Sequence, residues 1–211
     1  MTHNMSNSIC DHLEDILRER LDDYGFRHSC GVSAFACSLA TLYGVNVLDA
    51  TVAGLLHDWD RCESNDALLL KARVYKLPVD DVLAMNPHLL HAHTGALSVR
   101  QYFAENPELG ELPREVEQAI AHHTVGDTTM SDLDMIVYIS DMIEPSRTFP
   151  GVDTLREMAG TVALKQLFLQ CYQKTMEFLV KNQRLIHPDT LRVWNHYMGE
   201  LDHYPGGDVT P

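Results

Sequence analysis

A chain of 211 residues with 45% hydrophobic and 22% charged side chains can bury the core of one ordinary domain, which excludes a disordered or fibrous protein. Its formal charge of −14 opposes a nucleic-acid partner, whose phosphate backbone asks for a basic face. No apolar run approaches the roughly 18 residues of a membrane span, and MTHNMSNSICDHLEDILRER lacks the basic-then-apolar order of a secretion signal, so a cytoplasmic protein without a membrane partner is expected.

Apolar residues recur at helical spacing almost throughout, and alternating strand-like runs with hairpin dipeptides are missing, which predicts an all-α fold. In chain order, helices are expected over 9–22, 28–43, 48–57, 64–76, 79–85, 88–105, 113–123, 131–143, 152–182 and 188–201. Residues 1–8 and the tail YPGGDVTP (204–211) lack periodicity and are expected to be flexible, flanking a single domain over 9–203. Ser131 followed by Asp134 approximates a capping box, and Pro113 and Pro188 suit first helical turns. The broad apolar face of 152–182, with Leu155, Leu167, Tyr172 and Met176, is expected to pack on the core, a homodimer interface being its other use. Cys10, Cys30, Cys37, Cys62 and Cys171 are odd in number and form no C-x-x-C pair, so they are expected as buried reduced thiols.

The chemistry lies in scattered histidines and aspartates. His57-Asp58 ends the apolar run VAGLL, which delivers both side chains from a buried helix toward the interior, where an unpartnered carboxylate is costly and a cation would relieve it. A helix-end cap is the plain alternative for Asp58. His28 opens HSCGVSAFACSLA near a helix start; NPHLLHAHTGA offers His88, His91 and His93, and AIAHHTVG offers His122 and His123. Helical spacing sets His93 apart from His88 and His91, and adjacent histidines lie about 100° apart, but spacing does not choose the ligand within either group. Asp141 lies in IVYISDMIE, where Ile136, Val137 and Ile139 leave it in need of a compensating charge, from a metal or from Arg147. Neutral imidazoles with carboxylates form a donor set suited to iron, manganese, cobalt or zinc. One donor from each of several helices suits a metal site inside a bundle.

The order His, His-Asp, His, His, Asp resembles that of the HD-domain hydrolases. AGLLHDWDR, LLHAHTGA, AIAHHTVGDTTMS, IVYISDMIEPSRTFPGV and RLIHPDTL further resemble successive motifs of the bacterial YqeK-like family, described as symmetrical bis(5′-nucleosyl)-tetraphosphatases, from about His28 to Leu191. The resemblance implies an HD-domain helical bundle with two metal ions, iron by association. It implies that His28, His57, Asp58 and Asp141 hold one ion and His91 and His123 the other, with Asp58 bridging. His122 falls where the family has a non-ligand. Asp58 and His57 then belong to the catalytic machinery, a hydroxide held by the metals attacks phosphorus, and diadenosine tetraphosphate yields two ADP. Arg147, in EPSR, and Arg61 are candidates for binding the phosphates of such a dinucleoside polyphosphate or another nucleotide.

The chain departs from the family's pattern at Asp60-Arg61, Ala92-His93 and Gly126-Asp127, and a carboxylate at Asp127 is expected to repel a phosphate chain. These departures keep two alternatives in view: an HD-type nucleotidase or phosphodiesterase with another substrate, and a nucleotide-binding regulatory protein with little turnover.

Overall fold

The computed structural model describes the backbone of residues 2–200 and the side chains of residues 9–200; the expected flexible tail at 204–211 lies outside the described residues. Among the described residues there are helices and no strands, as the periodicity predicts. In chain order they are α1 (Thr2–Arg20), α2 (Asp23–Tyr43), α3 (Val47–Leu56), α4 (Asn65–Val74), α5 (Asp81–Met85), a 3-10 turn over Pro87–Leu90, and α6 (His91–Glu105). A second 3-10 turn, Pro107–Leu109, precedes α7 (Arg114–His122), α8 (Asp132–Ile143), α9 (Val152–Met158), α10 (Leu164–Lys181) and α11 (Pro188–Gly199). None is long and apolar enough to cross a membrane.

The centre of the bundle is α3, whose Ala50, Val52, Ala53, Gly54, Leu55 and Leu56 are all buried. It packs against α1, α2, α7 and α8, α6 lies on α7, and α10 covers α8. Fully buried Leu56, Ile120, Ile136 and Ile139 lie in this common core, each side chain contributing about 1.5–3 kcal/mol by leaving water. The crossing of α3 over α2 is close: a Cβ on Gly54 would meet Ser33 Cα and Val32 O, each at 3.1 Å. That close approach brings the end of α3, where His57 is the C-cap, against α2.

Three boundaries differ from the sequence expectation. Helix α1 begins at Thr2, inside the stretch expected to be flexible. Helix α2 begins at Asp23, well before His28, because the Asp22 carboxylate accepts the Gly25 amide at 2.7 Å and caps a turn that reads as a polar loop. The expected helix 152–182 is two helices, because Gly160 adopts φ +73 between α9 and α10 and breaks the ladder. The apolar face of α10 is on the core through Leu167, Phe168, Cys171 and Tyr172.

Some local signals hold in detail. Ser131 and Asp134 form a reciprocal capping box on α8, while Pro188 starts α11 and Pro113 sits one residue outside the first turn of α7. The five cysteines are free, but of the five expected to be buried only Cys171 is: Cys10, Cys30 and Cys37 are half-buried on helix flanks, and Cys62 is exposed in the turn before α4.

The break between α9 and α10 gives a stability test. Gly160→Ala forces a left-handed backbone on an L-residue and presses its Cβ to 3.3 Å from Leu42 Cδ1 and Cδ2. Urea unfolding is expected to show a loss of about 1–2 kcal/mol; an unchanged unfolding free energy would contradict the assigned break.

Candidate metal centre

Five helices or their ends converge on one point. His28 comes from the second turn of α2, His57 and Asp58 from the end of α3, His91 from the first residue of α6, His123 from the C-cap of α7, and Asp141 from the last turn of α8. His28, His57, Asp58, His91 and His123 are buried, and Asp141 is partly so.

Hydrogen bonds fix the ring orientations. The Nδ1–H of His57 donates to Gly54 O at 2.8 Å, that of His91 to His88 O at 2.6 Å, and that of His123 to Ile120 O at 2.8 Å. A carbonyl only accepts, so each Nδ1 carries the hydrogen and each Nε2 presents a lone pair. His28 repeats the arrangement with a carboxylate, its Nδ1 donating to Glu144 Oε1 at 3.1 Å. Glu144, buried and itself held by the Ser146 backbone amide at 2.7 Å, has no signal in the histidine pattern. Glu144 opens the EPSR stretch, from which sequence reasoning took only the arginine.

The four Nε2 atoms turn toward Asp58. Its Oδ1 lies 3.2 Å from His91 Nε2 and 3.6 Å from His123 Nε2, while Oδ2 lies 3.3 Å from His57 Nε2 and 3.8 Å from His28 Nε2. Asp141 Oδ1 is 2.9 Å from His28 Nε2 and 3.9 Å from His57 Nε2. Despite this crowding, His57 Nε2 and both oxygens of Asp58 make no hydrogen bond within the described residues. His91 Nε2 and His123 Nε2 face each other at 3.1 Å, lone pair against lone pair. Buried acceptors arranged this way without donors would be costly. A cation coordinated between them removes the conflict, and the nitrogen and oxygen donors match the preference of divalent first-row metals. The residues fit metal ions.

Electrostatics agree with that reading. Burial opposes ionisation of Asp58 and Asp141, yet the surrounding imidazoles hold both carboxyls well below the usual carboxylate range. Burial would likewise lower the pKa of His28, but the hydrogen bond and charge of Asp141 carry it above its ordinary value. Both carboxylates therefore stay ionised, as ligands to a cation must be.

The other histidines are used differently. His88 stacks on His91 with ring centroids 4.9 Å apart. His122 Nδ1 donates to Asp134 Oδ2 at 2.8 Å, away from the centre. His93 is held neutral, its pKa lowered to about 4 by burial and by His122 and His123 beside it.

A cavity of about 720 Å³ opens onto the centre through His91, His123 and Asp141. Both sequence-selected arginines line it. Arg147 donates from its guanidinium to Asp141 Oδ1 at 2.6 Å and to the Asp141 carbonyl at 2.9 Å, and Arg61 Nε lies 3.4 Å from Asp58 Oδ2. Lys174 and Lys181 on α10 also line it; sequence reasoning missed them because helical spacing alone does not say which face of α10 meets the site. Asp127 is not among its lining residues: it turns to accept from the Thr129 amide at 2.8 Å and hydroxyl at 2.7 Å. The expected repulsion of a phosphate chain by Asp127 therefore finds no support in its placement. Asp60 is fully buried behind the centre, with Lys71 Nζ at 2.7 Å and Ser98 Oγ at 3.1 Å.

Comparison with known proteins gives the same picture. The HD domain family matches residues 25–146, which include all six converging residues. The chain is 35% identical over 185 residues to a protein of Halalkalibacterium halodurans named symmetrical bis(5′-nucleosyl)-tetraphosphatase, covering 88% of this chain and 95% of that one. A Bacillus subtilis protein of the same name is 32% identical over 179 residues, covering 85% and 92%. A crystal structure from Clostridium acetobutylicum, described as a predicted HD superfamily hydrolase involved in NAD metabolism, superposes with a TM-score of 0.82 at 30% identity, covering 90% of this chain and 96% of that one. The chain thus belongs to the HD-domain family of metal-dependent hydrolases and, within it, to the YqeK-like group that these relatives represent.

Proposed function

We propose that this protein hydrolyses dinucleoside tetraphosphates symmetrically, converting diadenosine tetraphosphate to two ADP. The observation that carries the reading is the carboxylate of Asp58, whose two buried oxygens each face a different pair of imidazole nitrogens. In this reading His28, His57, Asp58 and Asp141 hold one ion, His91 and His123 hold a second, and Asp58 bridges them. The names of the relatives from Halalkalibacterium halodurans and Bacillus subtilis supply the substrate class. Iron is the metal proposed, by association with the family; manganese, cobalt and zinc suit the same donors.

Bound ions would supply Lewis acidity, lowering the pKa of water from 15.7 toward about 7 and offsetting charge on the attacking and leaving oxygens. The protein groups prepare the rest. The backbone carbonyls hold His57, His91 and His123 in one tautomer, so these three Nε2 atoms carry no proton, while Glu144 orients His28 through its Nδ1. Arg61 stands on Asp58 and Arg147 on Asp141, and in this reading both grip phosphate oxygens of the substrate. Water oxygen joins a central phosphorus, the bridging oxygen departs with the other half, and the products are two nucleoside diphosphates. The substrate is a cytoplasmic nucleotide, and free cysteines are in keeping with that reducing compartment.

Incubation of iron-loaded protein with diadenosine tetraphosphate is expected to release ADP alone, at two per substrate, with activity lost to chelator and restored by metal; AMP and free phosphate as products would instead indicate another HD-type hydrolase. Asp58→Ala removes the shared ligand, and metal analysis is expected to find the ion content of the variant reduced to background. Wild-type stoichiometry in that variant would refute the assignment. Arg61→Ala and Arg147→Ala each remove a charge-assisted contact, and kcat/KM should fall about 10- to 100-fold with metal content retained.

A further inference from the structure

Symmetrical cleavage makes a demand on the space around the metal centre. The middle of the substrate must lie at the ions, so two equal nucleoside diphosphate arms must leave it in different directions. The cavity of about 720 Å³ carries Arg61, Arg147, Lys174 and Lys181, a set suited to phosphates, with Glu177 accepting from Lys174 at 2.8 Å. Beside it lies a second cavity of about 590 Å³. Thr124, Tyr138, Thr175 and Phe178 line both. The Thr124 hydroxyl is 3.0 Å from His123 Nε2, so the wall between the cavities starts at the metal centre itself.

The second cavity has a different chemistry. Its polar side chains include the amides of Asn86 and Gln183 beside Arg184 and His187, and its apolar surface comes in part from Leu179, Leu185 and Phe178. Amides match the donor and acceptor edge of a purine, and an aromatic ring gives its face a stacking partner. Phe178 is 57% exposed on the shared wall, a large aromatic surface left to solvent. Gln183 stands at φ 52, where it closes α10 while the Arg184 amide donates to Leu179 O at 2.9 Å. Glycine is the low-strain residue for that position. The glutamine at this position lines the cavity.

We propose that this second cavity is the binding site for the second nucleoside of the substrate, with Asn86 and Gln183 meeting the base edge and Phe178 its face. The inference rests on the symmetrical reading above. It is tested on the metal-loaded protein by equilibrium binding of ADP and of a diadenosine tetraphosphate analogue with a methylene in place of the central bridging oxygen. The analogue is expected to bind at least about tenfold more tightly than ADP. Gln183→Gly deletes the amide while relieving the backbone, so its thermal midpoint should not fall. Leu185→Trp narrows the cavity with a bulky ring on its wall. Each is expected to collapse the analogue-to-ADP affinity ratio toward one. A wild-type ratio of one, or a high ratio that survives both substitutions, would overturn the proposal. Product analysis on the same samples separates the two readings. A high ratio sensitive to both variants, without release of ADP from diadenosine tetraphosphate, leaves the site standing and removes symmetrical hydrolysis; ADP release with a ratio of one does the reverse.

Discussion

Asp58 is a carboxylate at zero exposure whose oxygens find no hydrogen-bond donor among the described residues, and its burial constrains everything around it. Left alone it would destabilise the core by several kcal/mol. The fold answers by surrounding it with imidazoles whose protons already point elsewhere, into backbone carbonyls three residues back and into Glu144. Packing of α2, α3, α6, α7 and α8 then presses lone pairs toward one another, to 3.1 Å between His91 and His123. Hydrophobic burial in the surrounding core supplies the stability that offsets such a contact. Positive charge placed at that point relieves it, which is the physical basis for reading the cluster as a metal centre.

The same logic reconciles an acidic chain with an anionic substrate. A net charge of −14 would repel a polyphosphate at long range, but local fields dominate inside a cleft. The carboxylates near the centre are engaged: Asp141 with Arg147 and His28, Asp60 with Lys71, Asp127 with Thr129. The cavity wall meanwhile presents Arg61, Arg147, Lys174 and Lys181. Departures from the family pattern at Asp60 and Asp127 are absorbed by local partners, and on the cavity wall four cations stand beside the carboxylates of Asp141 and Glu177.

Two neighbouring cavities of unlike chemistry meet at Thr124. The first carries Arg61 and Arg147 beside the carboxylates of the centre, and the second carries the amides of Asn86 and Gln183, as a substrate with a charged middle and hydrogen-bonding ends would require. The wall between them comes from α8 and α10, far apart in sequence, through Tyr138, Thr175 and Phe178.

Much of this was legible in the chain itself. Helical periodicity determined the all-α class, because apolar spacing reports which face of each segment is buried. The run VAGLL before His57-Asp58 determined that both side chains enter the interior, and the ordered motifs determined the family. Local chemistry determined the Ser131 cap of α8. Spacing left His88, His91 and His93, and likewise His122 and His123, unresolved; tertiary structure turned His91 and His123 inward and paired His122 with Asp134. It also decided that Gly160 splits one long periodic stretch in two, that Glu144 orients His28, and that Lys174 and Lys181 look into the cavity. A sequence pattern fixes which residues are buried or exposed along one helix, whereas the pairing of side chains on different helices depends on how those helices cross, and that is set by packing across the whole core.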